Sequence, residues 1–197
     1  MARVSQEHLD ARRSQILDGA ARCFARNGFH ATSMQDVLQE VGLSAGAVYR
    51  YFRGKDEIIV AIATDVMRTV FEGYETAAAL DPAPLPADLI GTVMRRVLDT
   101  DTHAHLVIQV WTETLRNQEL SDVLRSTFVE MRTLWVKIVE RYQEQGLMRD
   151  DIPAEHVART MIALAQGFVA QVALFGEAPI EEIENGLRAL TSMGKGS

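Results

Sequence analysis

Residues 32–55 read Thr32-Ser33-Met34-Gln35-Asp36-Val37-Leu38-Gln39-Glu40-Val41-Gly42-Leu43-Ser44-Ala45-Gly46-Ala47-Val48-Tyr49-Arg50-Tyr51-Phe52-Arg53-Gly54-Lys55. Thr32 with Gln35 three positions on is the pattern of a capping box, in which side chains satisfy the free N–H groups of a helix start. Val37, Leu38 and Val41 give that helix one apolar side. Gly42 falls where the chain must turn sharply without a Cβ, Leu43 plugs the corner, and Ser44 is a good N-cap for a second helix. Two short helices joined by a glycine turn form the helix-turn-helix pattern.

The second helix carries chemistry suited to a duplex. Ala45, Gly46 and Ala47 leave its first turn bare, so its backbone can approach base edges, and the positive end of the helix dipole faces the same way. Tyr49, Arg50 and Tyr51 supply phenols for phosphates and a guanidinium that can fork onto guanine. Lys55 opens the next helix, within reach of the flanking phosphates, while Val48 and Phe52 point inward. In an ordinary helical hairpin the same tyrosines and arginine would only snorkel at the surface.

Outward from this stretch, helical spacing recurs almost everywhere and no strand alternation holds. A first helix is predicted over about 8–26, burying Leu9, Ile16, Leu17, Ala20, Cys23 and Phe24, with Asn27-Gly28 as its stop. Helices at about 33–40 and 45–52 follow, then others at about 55–78, 86–100, 103–117, 119–145, 153–175 and 179–192. All five prolines (82, 84, 86, 153 and 179) fall in breaks or first turns. The fold class is therefore all-α with about nine helices, divided into a three-helix head over 1–55 and a helical body over 56–197.

The net charge of −7 hides an asymmetry. Residues 1–55 hold eight Arg/Lys against five acids, and the remainder 12 against 22. Opposite signs suit a polyanion-binding head on a body that avoids the polyanion. The polar N-terminus lacks a signal-peptide run, and Met161–Phe175 is too short and too interrupted for a span of about 20 residues, so a cytoplasmic chain without membrane contact is expected. A single cysteine, Cys23, fits a reducing compartment, either as a small core residue or as a redox thiol.

The stretch from Arg12 to Ile59 resembles the signature of the TetR family of repressors. The likeness lies above all in Gly28-Phe29, Ala31-Thr32-Ser33, Asp36-Val37, Gly42-Leu43-Ser44, Gly46, Tyr49-Arg50-Tyr51-Phe52 and Lys55-Asp56-Glu57. The resemblance implies a ligand-responsive repressor that binds double-stranded operator DNA as a homodimer. Thr32, Ser33, Ser44, Ala45, Gly46, Ala47, Tyr49, Arg50, Tyr51 and Lys55 then occupy the family's DNA-contact positions. Leu38 and Val41 stand where small alanines are common, which implies a different helix spacing, and Gly54 replaces the usual hydroxyl cap before the lysine.

The resemblance also implies a small-molecule effector cavity among the helices between about 58 and 145, with Met67, Phe71, Tyr74, Trp111, Glu113, Phe128, Met131 and Trp135 as candidate lining residues. The acidic body would suit a cationic effector, with Glu113 and Asp65 the first acids to test. The 153–175 helix is apolar nearly all round and must bury two faces, either inside a monomer or against a second copy. Met161, Leu164, Phe168, Val172, Ile183, Leu187 and Leu190 are the candidate dimer residues. A helical adaptor that has lost DNA binding remains a rival. A small all-α enzyme would need a nucleophile with a base or clustered ligands; His103, His105 and His156 form no such motif, and no metal or cofactor is expected.

Overall fold

The computed structural model describes residues 6–97, 101–176 and 179–192. Arg3 and the expected helical residues 98–100 lie outside them, as does the side chain of His103. The helices are α1 (Gln6–Asn27), α2 (Met34–Val41), α3 (Ala45–Val48), α4 (Lys55–Ala78), α5 (Pro86–Val97), α6 (Asp101–Glu113), α7 (Gln118–Glu144), α8 (Ala154–Phe175) and α9 (Ile180–Ser192). The described residues contain no strand.

Local chemistry explains where three elements depart from the periodicity. The capping box that opens α2 uses Ser33 and Asp36, not Thr32 and Gln35: Ser33 Oγ accepts from Asp36 N–H and the Asp36 carboxylate accepts from Ser33 N–H. Thr32 is buried instead, donating its hydroxyl to the Gly28 carbonyl at 2.8 Å. α3 ends at Val48, not at residue 52, because the N–H groups of Tyr51 and Phe52 both bond to the Val48 carbonyl, tightening the turn. α6 stops at Glu113, short of 117, because Asn117 caps α7 by accepting from Leu120 N–H at 2.9 Å.

Two apolar clusters form the core. The first joins Ile16, Phe24, Val37, Val48 and Phe52 of the head to Ile58, Ile59 and Ile62 of α4, Leu106 and Val110 of α6, and Leu120 and Leu124 of α7. Packing thus runs continuously through residue 55. The second gathers Tyr74, Ile90, Met131, Trp135, Val139, Met161, Phe168 and Leu187. Trp111 is partly buried against both clusters.

Head packing includes a size exchange. Val41 is buried, and a Cβ on Gly19 would lie 2.3 Å from Val41 Cγ1. A bulky residue on α2 is accommodated because α1 has no side chain opposite it. Cys23 is buried beside them, and burial first, then the Glu40 carboxylate, raises its thiol pKa. That environment makes it an inert core residue.

α8 is the described helix that is long and apolar enough, by composition, to cross a membrane. In this fold it packs on α6 and α7. Among the expected dimer residues, Met161, Phe168 and Leu187 are buried in the chain's own core, because they lie on the stripe that faces the second cluster. Val172 and Ile183 are half-buried against the same cluster, whereas Leu164 and Leu190 are exposed. Leu174 and Phe175 add to the uncovered apolar surface, Phe175 being 83% exposed.

Candidate nucleic-acid interface and ligand cavity

The segment after Gly42 is built rigidly and displayed openly. Gly42 takes a left-handed conformation (φ 66°) and its N–H closes α2 on the Leu38 carbonyl. Ser44 then caps α3 by accepting from Ala47 N–H. Val48 and Phe52 anchor the segment in the head core. Ser44, Ala45, Gly46, Tyr49 and Arg50 are exposed, Ala47 is half-buried, and Tyr51 is half-buried against the core. Gly46 has an ordinary helical backbone and open space where a Cβ would stand. Nothing inside the molecule requires glycine there.

The basic groups of the head sort into paired and free. Arg13 pairs with Asp65 at 3.0 Å, and Arg22 and Arg26 both pair with Glu40, at 2.8 and 2.9 Å. Arg50 and Arg53 make no ion pair among the described residues, and neither does Arg12 of α1, which bonds Gln15 at 2.7 Å; two of the head's unpaired cations therefore stand at the tip. Two expected contacts turn inward. The hydroxyl of Thr32 is buried, as described, and the Lys55 ammonium donates to the carbonyls of Phe29, His30 and Thr32 at 2.9, 3.2 and 3.0 Å while lying over the Phe29 ring. All three ammonium protons are used. These carbonyls belong to the turn between α1 and α2, outside either helix's own hydrogen-bond ladder. Ser33, as the α2 cap, stays exposed. Gly54 offers α4 no side-chain cap, and Glu57 compensates by accepting from Arg53 N–H at 2.6 Å.

The corner at residues 24–32 receives a second clamp, from α6. Gln109 donates from Nε2 to the Phe24 carbonyl at 2.9 Å and accepts from Phe29 N–H at 3.0 Å. One turn on, Glu113 Oε2 lies 3.0 Å from His30 Nε2, with Arg116 on the same ring nitrogen. Glu113 therefore serves the corner and lines none of the cavities described below, which its burial beside His30 explains. No periodicity marks Gln109, because its partners are backbone atoms about 80 residues earlier in the chain.

Between α4, α6, α7 and α8 lie two adjoining cavities of about 230 and 80 Å³. Val66, Met67, Val107 and Trp111 line both. Tyr74, Phe128, Met131 and Trp135 line the smaller one, with Met94, Gln166 and Val169. Phe71 lines neither and packs on the second cluster instead. Asp65 borders the larger cavity but is held by Arg13 and, at 3.7 Å, by Arg68. A further pocket of about 380 Å³ lies beside Trp111 and Phe128, lined also by Thr114, Ser121, Leu124, Arg125 and Gln166. Gln166 was the legible signal missed: an amide interrupting the apolar run of α8.

A capped, solvent-facing helix-turn-helix on an all-helical body with an internal cavity defines a one-component DNA-binding regulator. Residues 16–62 match the family model for bacterial regulatory proteins of the tetR family, and residues 98–192 match that for the C-terminal part of BetI-type transcriptional repressors. The chain is 30% identical over 196 residues to the HTH-type transcriptional repressor Rv1474c of Mycobacterium tuberculosis, covering 95% of this chain and 99% of that one. The protein belongs to the TetR family of DNA-binding transcriptional regulators. Two solved structures share its fold at a TM-score of 0.76 each. Salmonella enterica GusR is 22% identical over 97% of this chain and 100% of its own, and a regulator from Saccharomonospora viridis in complex with choline is 21% identical over 94% and 97%.

Proposed function

We propose that the chain is a cytoplasmic repressor that binds a palindromic operator as a homodimer and is released by a small-molecule effector. Residues 1–55 form the DNA head and 56–197 the effector and dimerisation body. Gly46 carries the DNA half of this reading. A glycine with helical φ, open space around it and no intramolecular role weakens its own helix by about 0.5–1 kcal/mol relative to alanine. Close approach of the exposed tip to base edges is a reason to keep it. Arg50 and Tyr49 flank the tip as the direct contacts, with Ser33, Ser44, Ala45, Ala47 and Tyr51 beside them.

Leu164, Leu174, Phe175 and Leu190 supply the dimer contact, since a second copy of α8 and α9 covers this apolar face. The two recognition segments then stand about 34–36 Å apart, one turn of duplex. Release follows from the double clamp on the 24–32 corner: α4 holds it through Lys55 and α6 through Gln109, and both helices border the cavity. A ligand that spreads α4 from α6 pulls the corner and favours a conformer with the wrong spacing.

The test is duplex retention from fragmented genomic DNA, followed by anisotropy on a selected fragment. Gly46→Ala leaves thermal stability equal or higher yet weakens binding. Arg50→Ala costs about 1–3 kcal/mol of binding and relaxes sequence preference. Unchanged affinity in both variants overturns the assignment.

A further inference from the structure

We infer that the effector is an uncharged, predominantly apolar molecule carrying one carbonyl or hydroxyl oxygen that meets the hydroxyl of Tyr74. This rests on the effector reading above and adds the ligand's chemical class. Tyr74 is 2% exposed, and its hydroxyl is the one buried side-chain polar atom without a hydrogen-bond partner among the described residues. A buried hydroxyl left unpaired is costly, so its persistence in the wall of a cavity points to a partner that arrives from outside. Burial also raises the phenol's pKa, so it stays protonated and able to donate.

The rest of the wall fixes the remaining chemistry. Trp111, Trp135, Phe128 and Met131 line the same cavity with apolar surface, and Gln166 offers a neutral amide. Among the described residues neither a carboxylate nor a cation lines this cavity; the Asp65 carboxylate next door is already paired with two arginines, and Arg125 lines only the neighbouring pocket. A charge seated beside Tyr74 would have no counter-charge among the described lining residues, at a large desolvation cost. The rings do not make a cage for a cation either: Tyr74 and Trp135 pack on one another edge to face, centroids 5.1 Å apart at 64°. The acidic balance of the body, which suggested a cation, therefore belongs to its solvated surface.

Four probes of matched shape separate the classes: 4-phenyl-2-butanone, 3-phenylpropanoate, (2-phenylethyl)trimethylammonium and n-butylbenzene. Both tryptophans of the chain, Trp111 and Trp135, line the cavity, so their emission reports occupancy, with calorimetry as a check. The ketone is expected to bind about tenfold or more tightly than the carboxylate and the ammonium. Tyr74→Phe weakens the ketone about tenfold while n-butylbenzene is unchanged or tighter. Tighter binding of either ion, a ketone-to-hydrocarbon ratio unmoved by Tyr74→Phe, or tryptophan emission unmoved by every probe overturns the inference. Duplex retention by the same unliganded preparation keeps the two readings apart. Intact retention with the wrong probe preference sinks only the ligand class, and absent retention sinks the regulator reading.

Discussion

The recognition segment and the cavity treat their polar groups in opposite ways. Around residues 33–52 the described cap groups find partners within the molecule: Ser33 with Asp36, Ser44 with Ala47, Gly42 with Leu38. The cavity keeps one hydroxyl unpaired behind an apolar wall. A segment that must present a fixed shape to DNA benefits from having its local hydrogen bonds closed. A segment that must answer to a ligand benefits from leaving one open. Between them lies the 24–32 corner, held by side chains from both helices that border the cavity.

The strongest way to break this comparison is at Lys55. If its ammonium is a structural clamp, Lys55→Met lowers stability by about 2–4 kcal/mol, from the loss of three charged hydrogen bonds, and leaves the salt dependence of DNA binding unchanged. Urea unfolding and a salt titration of the same variant decide it. A slope reduced by about one, with stability intact, would make the lysine a phosphate contact.

Next comes the spacing beneath the tip. Gly19→Ala drives a methyl into Val41 and should cost about 1–3 kcal/mol through overpacking. Adding Val41→Ala should recover part of that loss. A double-mutant cycle with no coupling would mean that α1 and α2 slide freely, against the rigid head described above.

Tyr74→Phe sharpens the other side. Removing an unpaired buried hydroxyl should raise the unliganded protein's stability by about 1 kcal/mol, read as a higher Tm. A lower Tm would show that the phenol already has a partner in solution.

The smallest effect is at the α2 cap. The hydroxyl of Ser33, and then its backbone N–H, hold the Asp36 carboxyl below its usual value. Its contribution is therefore present above the unfolded-state pKa of about 4 and is lost as pH falls through the lower folded value. Asp36→Asn should give a slightly lower Tm near neutrality and a shallower decline below pH about 4, followed by circular dichroism. A parallel decline in both proteins would remove the capping box from the account.

Much of this was legible in the sequence because it depends on near neighbours. Helix periodicity, the Gly42 turn, the Ser44 cap and the inward Val48 and Phe52 are short-range patterns, and the all-α class with its helix-turn-helix followed from them. Trp111, Phe128, Met131 and Trp135 were among the lining residues that the family resemblance implied, and these line the cavity with Tyr74.

Tertiary structure alone decided which groups are already used. Lys55, Glu113 and Asp65 read as available charges along the chain, but each meets a partner from a distant segment: the carbonyls of 29–32, His30 and Arg13. The same holds for Met161, Phe168 and Leu187, apolar at the right spacing yet turned toward the chain's own core. Local sequence sets what a side chain can do. Only the packing of helices far apart in the chain determines whether its hydrogen bonds and charges have already been satisfied.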